Sequence, residues 1–197
     1  MIKLITLYMR RLFIAINIPE EIKDRIAGKN DSLEVMLPDA RYTGRNNWHL
    51  TIVFLGYQPD EMIVPIIESM KAVVKKFQAP EIVLSDISYG SMEGSARMIW
   101  LNGSKETSKL ISPLKTFLED ELIKNKARFK LENRAFNAHV TLNRFADIPK
   151  KDLPELGKEF KDLNWLFEAE SLDLMESRPS SKGAKYEILQ KINFKTE

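Results

Sequence analysis

The chain has 197 residues, 44% hydrophobic and 29% charged, a balance that supports one globular unit with a real core and excludes long disorder. It contains no cysteine, so disulfides, thiolate nucleophiles and cysteine-ligated metal centres are excluded, and a reducing, cytoplasmic setting is the expectation. A net charge of +2 is too small to mark a nucleic-acid binder by itself.

The apolar pieces of residues 1–16 are broken by Lys3, Arg10 and Arg11, too short for a membrane span or a signal core. Residues 12–16 read as a buried strand, residues 1–8 as a loose extension, and Pro19-Glu20-Glu21 as the opening of a helix to about residue 36. After Pro38-Asp39, residues 48–55 form an aromatic and β-branched run closed by Gly56, a strand. Met62, Ile63, Ile66, Ile67, Met70, Val73 and Val74 make a helical stripe across residues 59–77. Residues 81–89 and 97–101 read as strands about a Gly90/Gly94 turn. A helix over 105–126 follows, with Leu110, Ile111, Leu114, Phe117, Leu118 and Leu122 inward. Its end, Lys124-Asn-Lys-Ala-Arg-Phe-Lys130, gathers four cations around Phe129; a helix C-terminus accounts for them, and RNA contact is the other reading. A strand over 136–145, a short helix over 150–160 and strands over 165–175 and 185–194 complete the chain.

The only two histidines each open the same pattern, His49-Leu-Thr-Ile52 and His139-Val-Thr-Leu142. With seven threonines in the chain, both histidines would find threonine two places on in roughly one case in a thousand, so the repeat is not accidental. On a strand, residues two apart share a face, which sets His49 with Thr51 and His139 with Thr141, while Leu50, Ile52, Val140 and Leu142 face a core. Burying four such polar groups is costly unless each is partnered; lining a wet cleft costs little and surrounds one ligand with hydrogen-bonding groups.

The order of elements repeats a motif strand, helix, strand, strand unit at a spacing of 90 residues (49 to 139). The expected fold is therefore a single bilobed α+β domain over residues 1–197. Its halves are related by a pseudo-two-fold axis, two antiparallel sheets line a central cleft, helices lie outside, and one histidine stands on each wall.

The chain resembles the 2H phosphoesterases, and within them the RNA 2′,3′-cyclic phosphodiesterases long called 2′-5′ RNA ligases. The resemblance rests on Arg11-Leu-Phe-Ile-Ala-Ile16, His49-Leu-Thr-Ile-Val-Phe-Leu-Gly56, Arg97-Met-Ile-Trp100, His139-Val-Thr-Leu-Asn-Arg144 and Gly183-Ala-Lys-Tyr-Glu-Ile-Leu189, and spans about residues 10–194. Tyr57 departs from it, standing where an acidic residue often follows the glycine. The resemblance implies metal-independent opening of cyclic phosphates at RNA 3′ ends by a monomer, with no cofactor and no membrane. It makes His49 and His139 the catalytic pair and has Thr51 and Thr141 hold phosphate oxygens; His49 is assigned as the proton donor and His139 as the proton acceptor, an order that a reversed substrate would exchange. Arg144 also matches, yet strict alternation puts it on the face opposite His139; either the strand bulges or ends before it, or Arg144 is structural. Arg97, Arg144, Lys182 and Lys185 are candidates for fixing an RNA strand through its phosphates.

The residue types fit this chemistry on their own terms. Two imidazoles can divide acid and base work on a phosphodiester, and too few ligands accompany them for a metal site. Competing readings are a phosphodiesterase for a small cyclic nucleotide or a 2′-5′ oligonucleotide, and a non-catalytic RNA- or nucleotide-binding module.

Overall fold

The computed structural model describes residues 9–90, 94–181 and 183–195; the predicted extension at residues 1–8, and Lys182, lie outside the described residues. Along the chain run β1 (Met9–Asn17), α1 (Glu20–Met36), β2 (Arg41–Tyr42), β3 (His49–Pro59), α2 (Ile63–Lys76), β4 (Glu81–Gly90) and β5 (Ser95–Gly103). Then come α3 (Lys105–Lys124), β6 (His139–Pro149), β7 (Trp165–Glu168), β8 (Ser171–Ser180) and β9 (Gly183–Asn193).

The strands form one curled antiparallel sheet in the order β7-β4-β5-β6-β3-β1-β8-β9, with short β2 added to β6. The two motif strands are its centre. They share a single register pair, Leu50 with Val140, so the two expected sheets join there into one. Each half also hands strands to the other: β5, with β4 beyond it, pairs with β6, and β8, with β9 beyond it, pairs with β1. This exchange is why the stretch predicted as one strand over 165–175 is two. β7 finishes the β4 side, the chain crosses at Ala169-Glu170, and β8 enters the β1 side.

The predicted helices form where the apolar stripes place them. Pro19 precedes the first turn of α1, in which Glu20 and Glu21 favour the helix dipole. Ser104 caps α3 by accepting from the Thr107 backbone N–H at 3.0 Å. Ile22, Ile26 and Leu33 of α1, Ile66, Met70 and Val73 of α2, and Ile111, Leu114, Leu118 and Leu122 of α3 are buried in one core with Leu50, Leu55, Val140 and Leu142, and Phe117 packs against it, whereas Leu110, predicted inward, is exposed at the edge of the stripe. That core fixes the helix-covered face of the sheet and leaves the other face open. The predicted helix over 150–160 is instead two 3₁₀ turns, Lys150–Asp152 and Lys158–Phe160; Pro154 and Gly157 between them deny a continuous helix.

α3 ends at Lys124, whose ammonium pairs with Glu121, and Phe129 packs against the core. The helix end and the core thus account for Lys124 and Phe129.

Candidate active site

The two motif strands carry the same irregularity. Opposite β1, Ile14 pairs with Val53 and Ala15 with Thr51, so Ile52 is an extra residue on β3. Opposite β5, Ile99 pairs with Asn143 and Trp100 with Thr141, so Leu142 is the extra residue on β6. Each bulge lets two consecutive residues turn inward, Ile52 with Val53 and Leu142 with Asn143, and flips the alternation beyond. Arg144 therefore lies on the face of His139 and Thr141, which decides the alternative left open by the sequence in favour of a bulge.

The bulge on β6 satisfies the backbone groups it frees. The Ile99 N–H donates to Asn143 Oδ1 at 3.1 Å, and the Thr43 N–H, just past β2, donates to the Leu142 carbonyl at 2.8 Å. Asn143 is fully buried for this purpose. Sequence reading missed it because its role is to serve a neighbouring strand's backbone.

Both imidazoles are pinned in the same way. His49 Nδ1 lies 2.7 Å from the Asn47 carbonyl and His139 Nδ1 lies 2.9 Å from the Asn137 carbonyl. A carbonyl only accepts, so each Nδ1 carries the proton and each Nε2 is left as the lone-pair nitrogen. The sequence held this signal as asparagine two places before each histidine. Asn47 is itself held by the β9 end, its amide donating to the Ala184 carbonyl at 3.0 Å.

Aromatic packing sets the ring planes. His49 sits 4.9 Å from the Phe13 ring and 5.1 Å from the Tyr186 ring, the latter edge-on at 87°. His139 lies over Trp100, with ring centres 4.3 Å apart. Beside the histidines stand Asn17 and Asn102, register partners of His49 and His139. Asn17 donates to the Asp173 carboxylate, which also accepts from Ser171 Oγ at 2.7 Å. Asn102 donates to Asp86 Oδ2 at 2.9 Å and Ser88 Oγ at 2.8 Å. Serine and aspartate thus exchange places between two otherwise matching networks.

Burial lowers both imidazoles below their ordinary range. His49 is pushed down to about 4, chiefly because its ring is removed from water; positive charge from His139 and Arg144 adds to this, and the Asn47 carbonyl opposes it. His139 is lowered for the same main reason, with Arg134 and Arg144 contributing and the Asn137 carbonyl and Glu132 opposing. Arg144 thus contributes to lowering both rings.

Thr51 and Thr141 are half-buried beside their histidines, and among the described residues neither hydroxyl hydrogen-bonds to protein. Arg97 is not brought to this cluster. It is exposed, five residues along β5 from Asn102, and its guanidinium pairs with Asp147 at 2.8 Å. Lys185 is exposed on β9, opposite Arg178. Among the described residues no three of His, Cys, Asp and Glu gather as a metal site, and no helix is long and apolar enough to cross a membrane.

The sequence profile of the LigT like Phosphoesterase family matches residues 16–100 and 104–186, two segments of near-equal length that each carry one histidine motif. The chain belongs to this family. Among curated members, it is 29% identical over 182 residues to the RNA 2′,3′-cyclic phosphodiesterase of Methanocaldococcus jannaschii, covering 91% of this chain and 98% of that one. It is 30% identical over 141 residues to the protein of that name from Thermotoga maritima, covering 72% and 73%. The fold is that of a Thermus thermophilus protein (TM-score 0.75, 22% identity, 93% and 97% covered) and of E. coli LigT crystallised with 3′-AMP (TM-score 0.67, 21% identity, 95% and 99% covered).

Proposed function

We propose that this protein hydrolyses RNA 2′,3′-cyclic phosphate ends to 2′-phosphomonoesters without a metal ion or other cofactor. One observation carries the reading: two imidazoles on paired central strands, each with Nδ1 held by a backbone carbonyl and Nε2 free for a phosphate between them. Membership of the family, and the names of its curated members, support the substrate class.

In the ligand-free cleft both histidines are neutral at neutral pH. An incoming phosphodiester brings a negative charge that raises both, so one imidazole can hold a second proton once substrate is bound. His139 Nε2 takes a proton from water as the oxygen attacks phosphorus, and the P–O3′ bond breaks. His49, protonated on Nε2, gives its proton to the departing 3′ oxygen. The environment that drives His49 down to about 4 makes its protonated form a strong acid for that step. Thr51, Thr141 and Arg144 stabilise charge on the non-bridging oxygens. With a 5′-hydroxyl in place of water, the same step forms a P–O5′ bond as P–O3′ breaks and joins two RNAs through a 2′-5′ linkage.

The test is a cyclic-phosphate-ended oligoribonucleotide incubated with the protein in excess chelator. Conversion to a product whose phosphate resists a 3′-specific phosphatase is expected. Turnover that requires added divalent ion overturns metal independence, and a 3′-phosphate product overturns the roles of the two histidines. No turnover under any condition overturns the hydrolase reading.

A further inference from the structure

We propose that the cleft continues past the histidines into a second subsite, built from Arg11, Arg41 and Tyr57, which holds the RNA strand on the 5′ side of the cyclic phosphate. This rests on the RNA phosphodiesterase reading above.

A cavity of about 500 Å³ has Met9, Arg11, Arg41, Tyr57, Ser177 and Ala184 in its wall. It is joined to the catalytic groups along three strands. On β1, Arg11 shares the face of Phe13 two residues away, about 7 Å along the strand, and Phe13 stacks beside His49. On β2, Arg41 is the register partner of Arg144. At the start of β9, Ala184 holds Asn47, the residue whose carbonyl pins His49.

Tyr57 reaches this wall because β3 bulges a second time. Leu12 pairs with Gly56 but Phe13 with Phe54, leaving Leu55 extra, and Gly56 takes φ +69°, a conformation that favours glycine. Buried Gln58 locks the kink by donating to the carbonyls of Leu55 at 2.7 Å and Arg128 at 2.6 Å. The kink sets Tyr57 directly opposite Arg11. Tyr57 and Phe54 are 68% and 61% exposed, so two aromatic rings stand open on the path from histidine to cavity.

The charges select an anion. Among the described residues, neither Arg11 nor Arg41 has a hydrogen bond or ion pair. The acid in the cavity wall, Glu176, is already bonded by Arg10 and by Arg178, each at 2.8 Å. Two uncommitted guanidiniums beside open aromatic rings suit a chain of alternating phosphates and bases: phosphates on Arg11 and Arg41, a base on Tyr57. A cyclic mononucleotide has no second phosphate to place there.

The experiment compares kcat/KM on a short oligoribonucleotide ending in a 2′,3′-cyclic phosphate with that on a 2′,3′-cyclic mononucleotide. The wild-type protein should prefer the oligonucleotide. Tyr57→Ala, and separately Arg11→Gln with Arg41→Gln, should each lower the oligonucleotide-to-mononucleotide ratio by about tenfold. The arginine pair should also flatten the log–log salt dependence of oligonucleotide kcat/KM by about 0.7 per residue. Lys71→Ala, on the outer helix α2, should leave the ratio where it is. Mononucleotide turnover by each variant reports an intact catalytic centre. Turnover of both substrates with an unmoved ratio overturns the subsite alone, while absence of turnover on both by the wild-type protein overturns the hydrolase reading and the subsite with it.

Discussion

Phe54 and Arg144 occupy the same place in the two halves of the protein, five residues after their histidines and turned to the cleft by matching bulges at Ile52 and Leu142. Their neighbours match too: Phe54 pairs with and packs near Phe13, while Arg144 pairs with Met98 and donates to its sulfur at 3.1 Å. The histidines, threonines and pinning carbonyls repeat, so this position breaks the symmetry. One wall offers a cation and the other an aromatic ring.

Arg144→Ala should lower kcat by on the order of 10²-fold to 10³-fold, the loss found when a preorganised donor to developing charge is removed. Arg144→Lys should fall between, because it keeps the charge and loses the planar fork. Steady-state kinetics on a cyclic-phosphate-ended oligonucleotide decide the matter; equal rates for the arginine, lysine and alanine proteins would remove Arg144 from the chemistry.

His49→Ala and His139→Ala should each slow turnover by on the order of 10²-fold to 10⁴-fold. The double variant should be little slower than either single one, because acid and base act in one event. Losses that multiply would tell against a concerted pair. Far-UV circular dichroism should be unchanged, since both rings stand on the open face of the sheet and the core lies on the other.

The histidine pair, its threonines and the helices were legible because they follow local periods: two residues on a strand, 3.6 on a helix. Arg144 was legible as a motif member and ambiguous as a neighbour. A bulge adds one residue, and its stability depends on Asn143 and Thr43 satisfying freed backbone groups, which no local pattern announces. The exchange of β5 and β8 between halves was hidden for a similar reason, since strand order is settled by pairing between distant segments. Tyr186 and Trp100 reach the histidines through that same long-range pairing. Arg97 matched the resemblance, yet its local pairing with Asp147 holds it at the outer end of β5.

Burial of His49 predicts a specific pH dependence of folding. Its ordinary value near 6.5 applies to the unfolded chain and about 4 to the folded protein. Between these values the unfolded chain binds a proton that the folded protein refuses, so stability falls as pH drops through the window. The contribution is fully present above about pH 6.5 and is lost towards pH 4, a change of about 3 kcal/mol. His139, also lowered, acts in the same direction. Urea unfolding at pH 7 and pH 4.5 should show a smaller acid loss for His49→Gln than for the wild-type protein. Equal losses would place the acid sensitivity in His139 or the carboxylates instead of His49.

Gly90 supports His139 from beneath. A Cβ built on Gly90 would meet Cδ2 and Cε2 of Trp100 at 2.3 Å, so the indole packs against this glycine, and the His139 ring centre lies 4.3 Å from that of Trp100 at a 35° tilt. Any side chain at residue 90 must displace the ring that supports the imidazole. Gly90→Ala should therefore cost about 1–3 kcal/mol of stability through overpacking and reduce kcat by shifting His139 from its place opposite His49. Trp100→Leu should lower activity by removing the platform and should open space above residue 90. In that background Gly90→Ala should cost little more, because the clashing partner is gone. Thermal unfolding and kcat measured on both single variants and the double variant test this coupling. Additive losses in the double variant would mean that Gly90 acts through something other than the Trp100 ring.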